Sequence, residues 1–116
     1  MCIRDRVNGK LSPAAKRGEK LFNKKEEGCS QCHPSPLFTD LQSYEVGTRG
    51  RTDRDGVIYD TPSLVELWRT APYLHDGSAA TLHDVLTGAN QKDQQGVTSR
   101  LSPDKIKDLV EYLRSL

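Results

Sequence analysis

The chain has 116 residues, enough for one domain, and a net charge of +1 from 17 Lys and Arg against 16 Asp and Glu. That balance gives no warrant for nucleic acid or an anionic membrane surface as a partner, and no apolar run approaches the length of a membrane span. Only 34% of the residues are apolar and the mean hydropathy is −0.68, so the side chains alone make a thin core.

The chain opens Met1-Cys2-Ile3-Arg4-Asp5-Arg6, with neither an apolar stretch nor a small-residue cleavage site. Residues 1–10 are therefore expected to be a non-native or disordered start, with any export signal missing upstream. Cys2 reads as a surface thiol without a function. Leu11-Ser12-Pro13 opens the first helix: Ser12 caps the amides of the first turn, and Pro13 suits the first helical position. The helix should run to about Phe22. Gly18 and Phe22 fall four apart on one face, where a small residue lets another helix approach closely. Asn23 to Gly28 is a charged connector.

Cys29-Ser30-Gln31-Cys32-His33 is the stretch that carries chemistry. Two cysteines three apart, with histidine directly after the second, form the c-type haem attachment pattern. Each thiol adds across a haem vinyl group, and one short turn carries both sulfurs along a porphyrin edge. His33 then turns under the ring to bond the iron from the proximal side. A zinc half-site and a redox thiol pair are the alternatives. Zinc needs two more ligands at a clustered spacing, and no second Cys or His pair follows. A thioredoxin-like pair wants a βαβ setting, and nothing nearby reads as a parallel strand. The expected cofactor is one haem c, attached through Cys29 and Cys32, with His33 on its iron. Such a large apolar body also gives a small domain something to pack around.

From Phe38 to Tyr59 the sequence is loop-like, with Gly47, Gly50, Gly56 and a run of Arg and Asp. Thr61-Pro62-Ser63 is expected to start a short helix reaching Trp68 or Arg69. Thr81, with Asp84 three later, makes a capping-box start to a helix over Leu82 to Leu86, which Gly88 ends. Asn90 to Arg100 is polar and reads as a surface loop. Leu101-Ser102-Pro103 repeats the first opening, and Ile106, Leu109, Val110 and Leu113 follow at helical spacing, widened by Tyr112 and Leu116. The fold class is mainly α.

Two stretches resemble a known family. Asp60-Thr61-Pro62-Ser63-Leu64 and Arg69-Thr70-Ala71-Pro72-Tyr73-Leu74-His75-Asp76-Gly77-Ser78-Ala79-Ala80-Thr81-Leu82 are similar to the C-terminal haem domain of bacterial di-haem cytochrome c peroxidases. The Gly18…Phe22 element, Cys29 to His33 and the last helix fall in the order of that family. The resemblance implies a small cytochrome c-like domain over residues 11–116, wrapped around one covalently attached haem. It implies that the first and last helices cross, Gly18 and Phe22 against Val110 or Tyr112. The family carries a second haem domain upstream of the part this chain resembles.

One departure bears on the iron. The family places a methionine on the distal side shortly after the threonine-leucine helix, where this chain reads Thr87-Gly88-Ala89-Asn90; its only methionine is Met1. A lower potential or an open iron is expected. His75 is the candidate pocket residue: a hydrogen bond in the pocket or the following turn is preferred, because the family keeps the matching histidine beside its methionine, and ligation is the alternative. His83 reads as an exposed histidine at a helix start, and Lys92 as solvated. Tyr73 and Tyr59 pack against the porphyrin edge or offer a phenolate. At least one of Arg49, Arg51, Arg54 and Arg69 is expected to meet a haem propionate, and Trp68 to pack in the core.

These readings converge on a haem c electron-transfer domain of an exported, periplasmic bacterial protein, serving a redox partner protein or an upstream domain of the same protein. The alternative is the haem domain of a di-haem peroxidase-type oxidoreductase with an open distal site, where His75 is the nominee for acid or base. A haem-based sensor or structural haem module is the third class.

Overall fold

The structure, a computed structural model, describes residues 6–7 and 9–116, so most of the expected non-native or disordered start lies outside the described residues. Arg6–Val7 (β1) pairs antiparallel with Lys10–Leu11 (β2). Four α-helices follow: Pro13–Phe22 (α1), Cys29–Cys32 (α2), Leu82–Leu86 (α3) and Pro103–Arg114 (α4). A second antiparallel ribbon joins Ser43–Tyr44 (β3) to Tyr59–Asp60 (β4), with Ser43 opposite Asp60 and Tyr44 opposite Tyr59. With helices of 10, 4, 5 and 12 residues, the regular structure is mainly helical, but loops and turns make up more of the described chain than helix does.

The two long helices start for the same reason. The Ala15 N–H donates to Ser12 Oγ at 3.1 Å and the Lys105 N–H to Ser102 Oγ at 3.3 Å, each cap followed by proline. Thr81 and Asp84 close a capping box at the head of α3. Helices α1 and α4 cross at Gly18. A Cβ there would fall onto the Asp108 carbonyl and come within 2.8 Å of Tyr112 Cβ. Beside it, the Phe22 ring meets Tyr112 edge-on at 5.3 Å, and Arg17 forks onto Asp108 through Nε (2.9 Å) and Nη2 (3.1 Å). Leu21, Phe22, Leu82, Leu86, Ile106, Leu109, Tyr112 and Leu113 form the core around this crossing.

The helix expected from Thr61 does not form. Residues 61–64 carry no helical turn, and a short 3-10 turn appears only at Leu67–Arg69, after a left-handed Glu66 (φ 57°). The local polar groups are engaged by other segments instead. Thr39 Oγ1 donates to the Thr61 carbonyl (2.6 Å), Ser63 Oγ donates to the Leu37 carbonyl (2.6 Å), and the Thr61 N–H donates to the Gln42 carbonyl (2.8 Å). A serine hydroxyl bonded to a distant carbonyl is not available to cap a helix. The polar stretch from Asn90 to Arg100 also departs from a plain surface loop, because Asn90 and Thr98 are buried.

Candidate haem-binding site

Helix α2 is a single turn set off by Gly28, whose left-handed backbone (φ 77°) bends the chain out of the connector. One helical turn puts Cys29 and Cys32, three apart, on the same side. Neither thiol is in a disulfide. Burial, and then the Glu27 carboxylate, pushes the Cys29 thiol up to about 11. Cys32 is raised as well, by burial and then Asp40, against a hydrogen bond with Tyr44. A thiol held protonated near neutral pH is a poor redox nucleophile, which counts against a disulfide-exchange pair. Among the described residues no group of three or more His, Cys, Asp and Glu is placed to hold a metal ion, which counts against zinc.

His33 follows at the end of the turn, and its Nδ1 lies 2.8 Å from the Phe38 carbonyl oxygen. A carbonyl only accepts, so Nδ1 carries the proton and Nε2 keeps its lone pair. This is the tautomer a metal-bound imidazole needs, fixed before any metal arrives. Burial lowers the His33 pKa, the Phe38 carbonyl, Asp40 and the Pro62 carbonyl opposing it, so the neutral ring is favoured. Phe38 has φ 55°, and this left-handed turn aims its carbonyl at the ring. The bonds from Thr39 to Thr61 and from Ser63 to Leu37 hold that turn on both sides. The Thr61-Pro62-Ser63 stretch is thus a brace behind the loop that orients His33. The Phe22 and Phe38 rings, edge-on at 6.0 Å, tie the loop to the core.

A second loop closes over Cys29. The Val97 N–H donates to the Glu27 carbonyl (2.8 Å), and a Cβ on Gly96 would come within 3.5 Å of Cys29 Sγ. Asn90, 3% exposed, organises this loop from inside: its Nδ2 donates to the Gly96 carbonyl (2.8 Å) and to Thr98 Oγ1 (2.9 Å), while its Oδ1 accepts from the Gln95 N–H (2.8 Å). Glu27 Oε2, Gln95 Nε2 and Trp68 Nε1 are buried without a hydrogen-bond partner. The Trp68 indole N–H is a donor suited to a carboxylate such as a propionate.

His75 belongs to a different group of side chains. Its Nε2 lies 2.7 Å from Asp53 Oδ2, and its ring stacks on Tyr59 with centroids 4.0 Å apart. The same oxygen accepts from the Tyr59 hydroxyl (2.8 Å) and the Gly50 N–H (2.7 Å). These donors, the Gly50 amide first, hold the Asp53 carboxyl down at about 2. On the β3–β4 ribbon Tyr59 touches His75, while its register partner Tyr44 donates to Asp40 Oδ2 (2.7 Å).

The segment where the family's methionine is expected, Gly88 to Lys92, lines an open cavity of about 440 Å³ together with Val46 and Arg49. His83 borders a neighbouring cavity instead and faces Thr87. Of the four arginines considered for a propionate, Arg49 pairs with Asp55 (2.7 Å) and Arg69 with Glu66 (3.2 Å). Tyr73 packs against the core, its N–H on the Ala79 carbonyl. The donor set suits a c-type haem: two thiols outside any disulfide on one turn, an imidazole with its proton on Nδ1, and aromatic and aliphatic residues packed beside Cys29.

Comparison with known proteins points the same way. Residues 58–94 match the RoxA-like, cytochrome c-like family. Hydrazine synthase subunit gamma of Kuenenia stuttgartiensis is 33% identical over 95% of this chain and 43% of its own length. The methylamine utilization protein MauG of Methylophilus methylotrophus is 31% identical (91% and 37%), and the cytochrome-c peroxidase IdrP1 of Denitromonas iodatirespirans 30% (91% and 41%). Among solved structures, Kuenenia stuttgartiensis hydrazine synthase superposes with a TM-score of 0.84 at 33% identity, over 96% of this chain and 48% of the other. A MauG-like protein associated with microbial copper homeostasis shares the fold, with a TM-score of 0.75 at 22% identity over 96% and 49%. The chain spans less than half the length of these relatives.

Proposed function

The chain is a c-type cytochrome domain related to the bacterial di-haem cytochrome c peroxidases, and on that premise we propose that it passes single electrons through one haem c, attached at Cys29 and Cys32 and bound at the iron by His33. The observation that carries this reading is the His33 Nδ1–H bond to Phe38, which puts the proton on Nδ1 and the lone pair on Nε2. A bound haem supplies reversible one-electron chemistry. The chain's part is to hold both sulfurs on one turn, fix the imidazole tautomer, exclude water from Cys29 with the 90–98 loop, and leave an edge near solvent. Leu37, Leu41, Tyr44, Ile58 and Val65, the large exposed apolar residues, all fall between 37 and 65, the segment that would wrap the porphyrin and meet a partner. No helix among the described residues is long and apolar enough to cross a membrane. The proposed setting is the periplasm or another exported compartment, where haem c is attached. The partner is a redox protein or a further domain of a longer chain.

The Asp53–His75 pair favours a second reading, a peroxidase-type oxidoreductase domain, since a carboxylate-oriented histidine is a suitable acid or base. The absorption spectrum of the haem-loaded protein, with and without carbon monoxide, separates the two. Low-spin haem indifferent to carbon monoxide is the result expected for electron transfer. High-spin haem that binds it would contradict that reading and support the second.

A further inference from the structure

Trp68 is the only tryptophan of the chain, half-buried on the 3-10 turn Leu67–Arg69. That turn is docked at several points. Leu64 and Leu67 pack against the core cluster that Cys29 and Phe38 also join, and the Glu66 N–H donates to the Leu116 carbonyl (3.0 Å), just beyond α4. Five residues before Trp68, Ser63 Oγ donates to the Leu37 carbonyl, in the loop that orients His33. The turn thus shares a core with the attachment turn and is tied to the His33 loop. Yet the indole Nε1 is buried with no hydrogen-bond partner. A buried N–H left unpaired costs the full desolvation of the group, and finished structures hold few of them.

Burial decides where the acceptor comes from. A partner protein cannot reach an atom that the fold encloses, and no group among the described residues accepts from this one. What remains is the group that completes the domain. Once its pyrrole nitrogens hold iron and its vinyl groups hold sulfur, a haem offers hydrogen-bond acceptors only on its propionates. We propose that the Trp68 Nε1–H binds a haem propionate and anchors that end of the porphyrin. This rests on the haem reading above and names a donor other than the arginines considered from the sequence. Arg69 is held by Glu66 (3.2 Å), with its guanidinium 5.7 Å from the centroid of the Trp68 ring. It puts positive charge beside the indole, which favours a carboxylate there. The anchor also bears on the iron. A propionate carboxylate stabilises ferric over ferrous haem, and an N–H that draws on its negative charge shifts the balance towards ferrous.

The test uses holo-protein from a host fed aminolaevulinate with carbon-13 at its carboxyl, which labels the propionate carboxyls. Wild type is compared with Trp68→Phe, which keeps an aromatic ring and removes the N–H, by reduced-minus-oxidised infrared difference spectra and by redox titration. The anchor predicts a displaced propionate band and a lowered potential in Trp68→Phe. A tryptophan that only packs would leave the labelled band where it is. A second measurement needs no variant. In the diamagnetic ferrous protein (with carbon monoxide added if the iron is open), the single indole N–H should show a nuclear Overhauser contact with propionate methylene protons. An unchanged band, or no such contact, overturns the anchor and leaves the N–H to a buried water. An indole signal that moves on adding acetate assigns the donor to an outside carboxylate and overturns it too. Polypeptide without covalent haem defeats the haem reading itself, and the anchor with it.

Discussion

Asp53 joins two segments far apart in sequence, because one carboxylate oxygen accepts from Gly50, Tyr59 and His75 at once. Its folded pKa, about 2, lies below the roughly 3.9 of an unfolded aspartate. A depressed carboxylate contributes stability that is present above the unfolded value and is lost as the pH falls through the folded one. Wild type should therefore melt higher than Asp53→Asn at neutral pH, with the gap narrowing from about pH 5 towards pH 2. A gap that does not change with pH, in thermal melts across that range, would show that Asp53 does not anchor the loop. At this scale the sequence is legible where spacing is the chemistry: Cys29, Cys32 and His33 announce themselves. The Phe38 carbonyl does not, because a backbone acceptor has no residue signature and depends on φ 55° at a phenylalanine. Asn90 was hidden for a different reason. A polar residue in a polar stretch looks solvated until its partners, Gly96, Thr98 and Gln95, are seen to enclose it.

Between elements, the crossing of α1 and α4 turns on Gly18, where the Asp108 carbonyl and Tyr112 Cβ occupy the space a side chain would need. Leucine is the better helix former, so propensity alone predicts a gain of about 1 kcal/mol for Gly18→Leu. Overpacking opposes it and should win, leaving the holo-protein less stable by roughly 1–3 kcal/mol in chemical denaturation. A stabilised variant would mean that this face is exposed. Both long helices and α3 could be read from their caps, since Ser12, Ser102 and Thr81 each accept from the amide three residues on. The segment from Thr61 could not. Ser63 has the chemistry of a cap, but its hydroxyl bonds Leu37, 26 residues distant, and only the folded chain reveals that partner. The crossing partner was legible only through the family resemblance, because helical periodicity gives a face and not what meets it.

At the scale of the molecule, the core is a single cluster around the α1–α4 crossing, with Cys29 and Phe38 at its margin. The large exposed apolar residues lie outside it, between residues 37 and 65. Such a distribution suits a domain completed by a flat apolar group, with Cys29 and Cys32, both partly buried, on one turn. The most direct measurement is the intact mass of the denatured protein after export in a host that attaches haem c, for wild type and for the Cys29→Ala, Cys32→Ala double variant. The account predicts wild-type polypeptide plus one haem that survives denaturation, and no haem on the variant. Bare polypeptide from wild type, or haem that dissociates on denaturation, would contradict it.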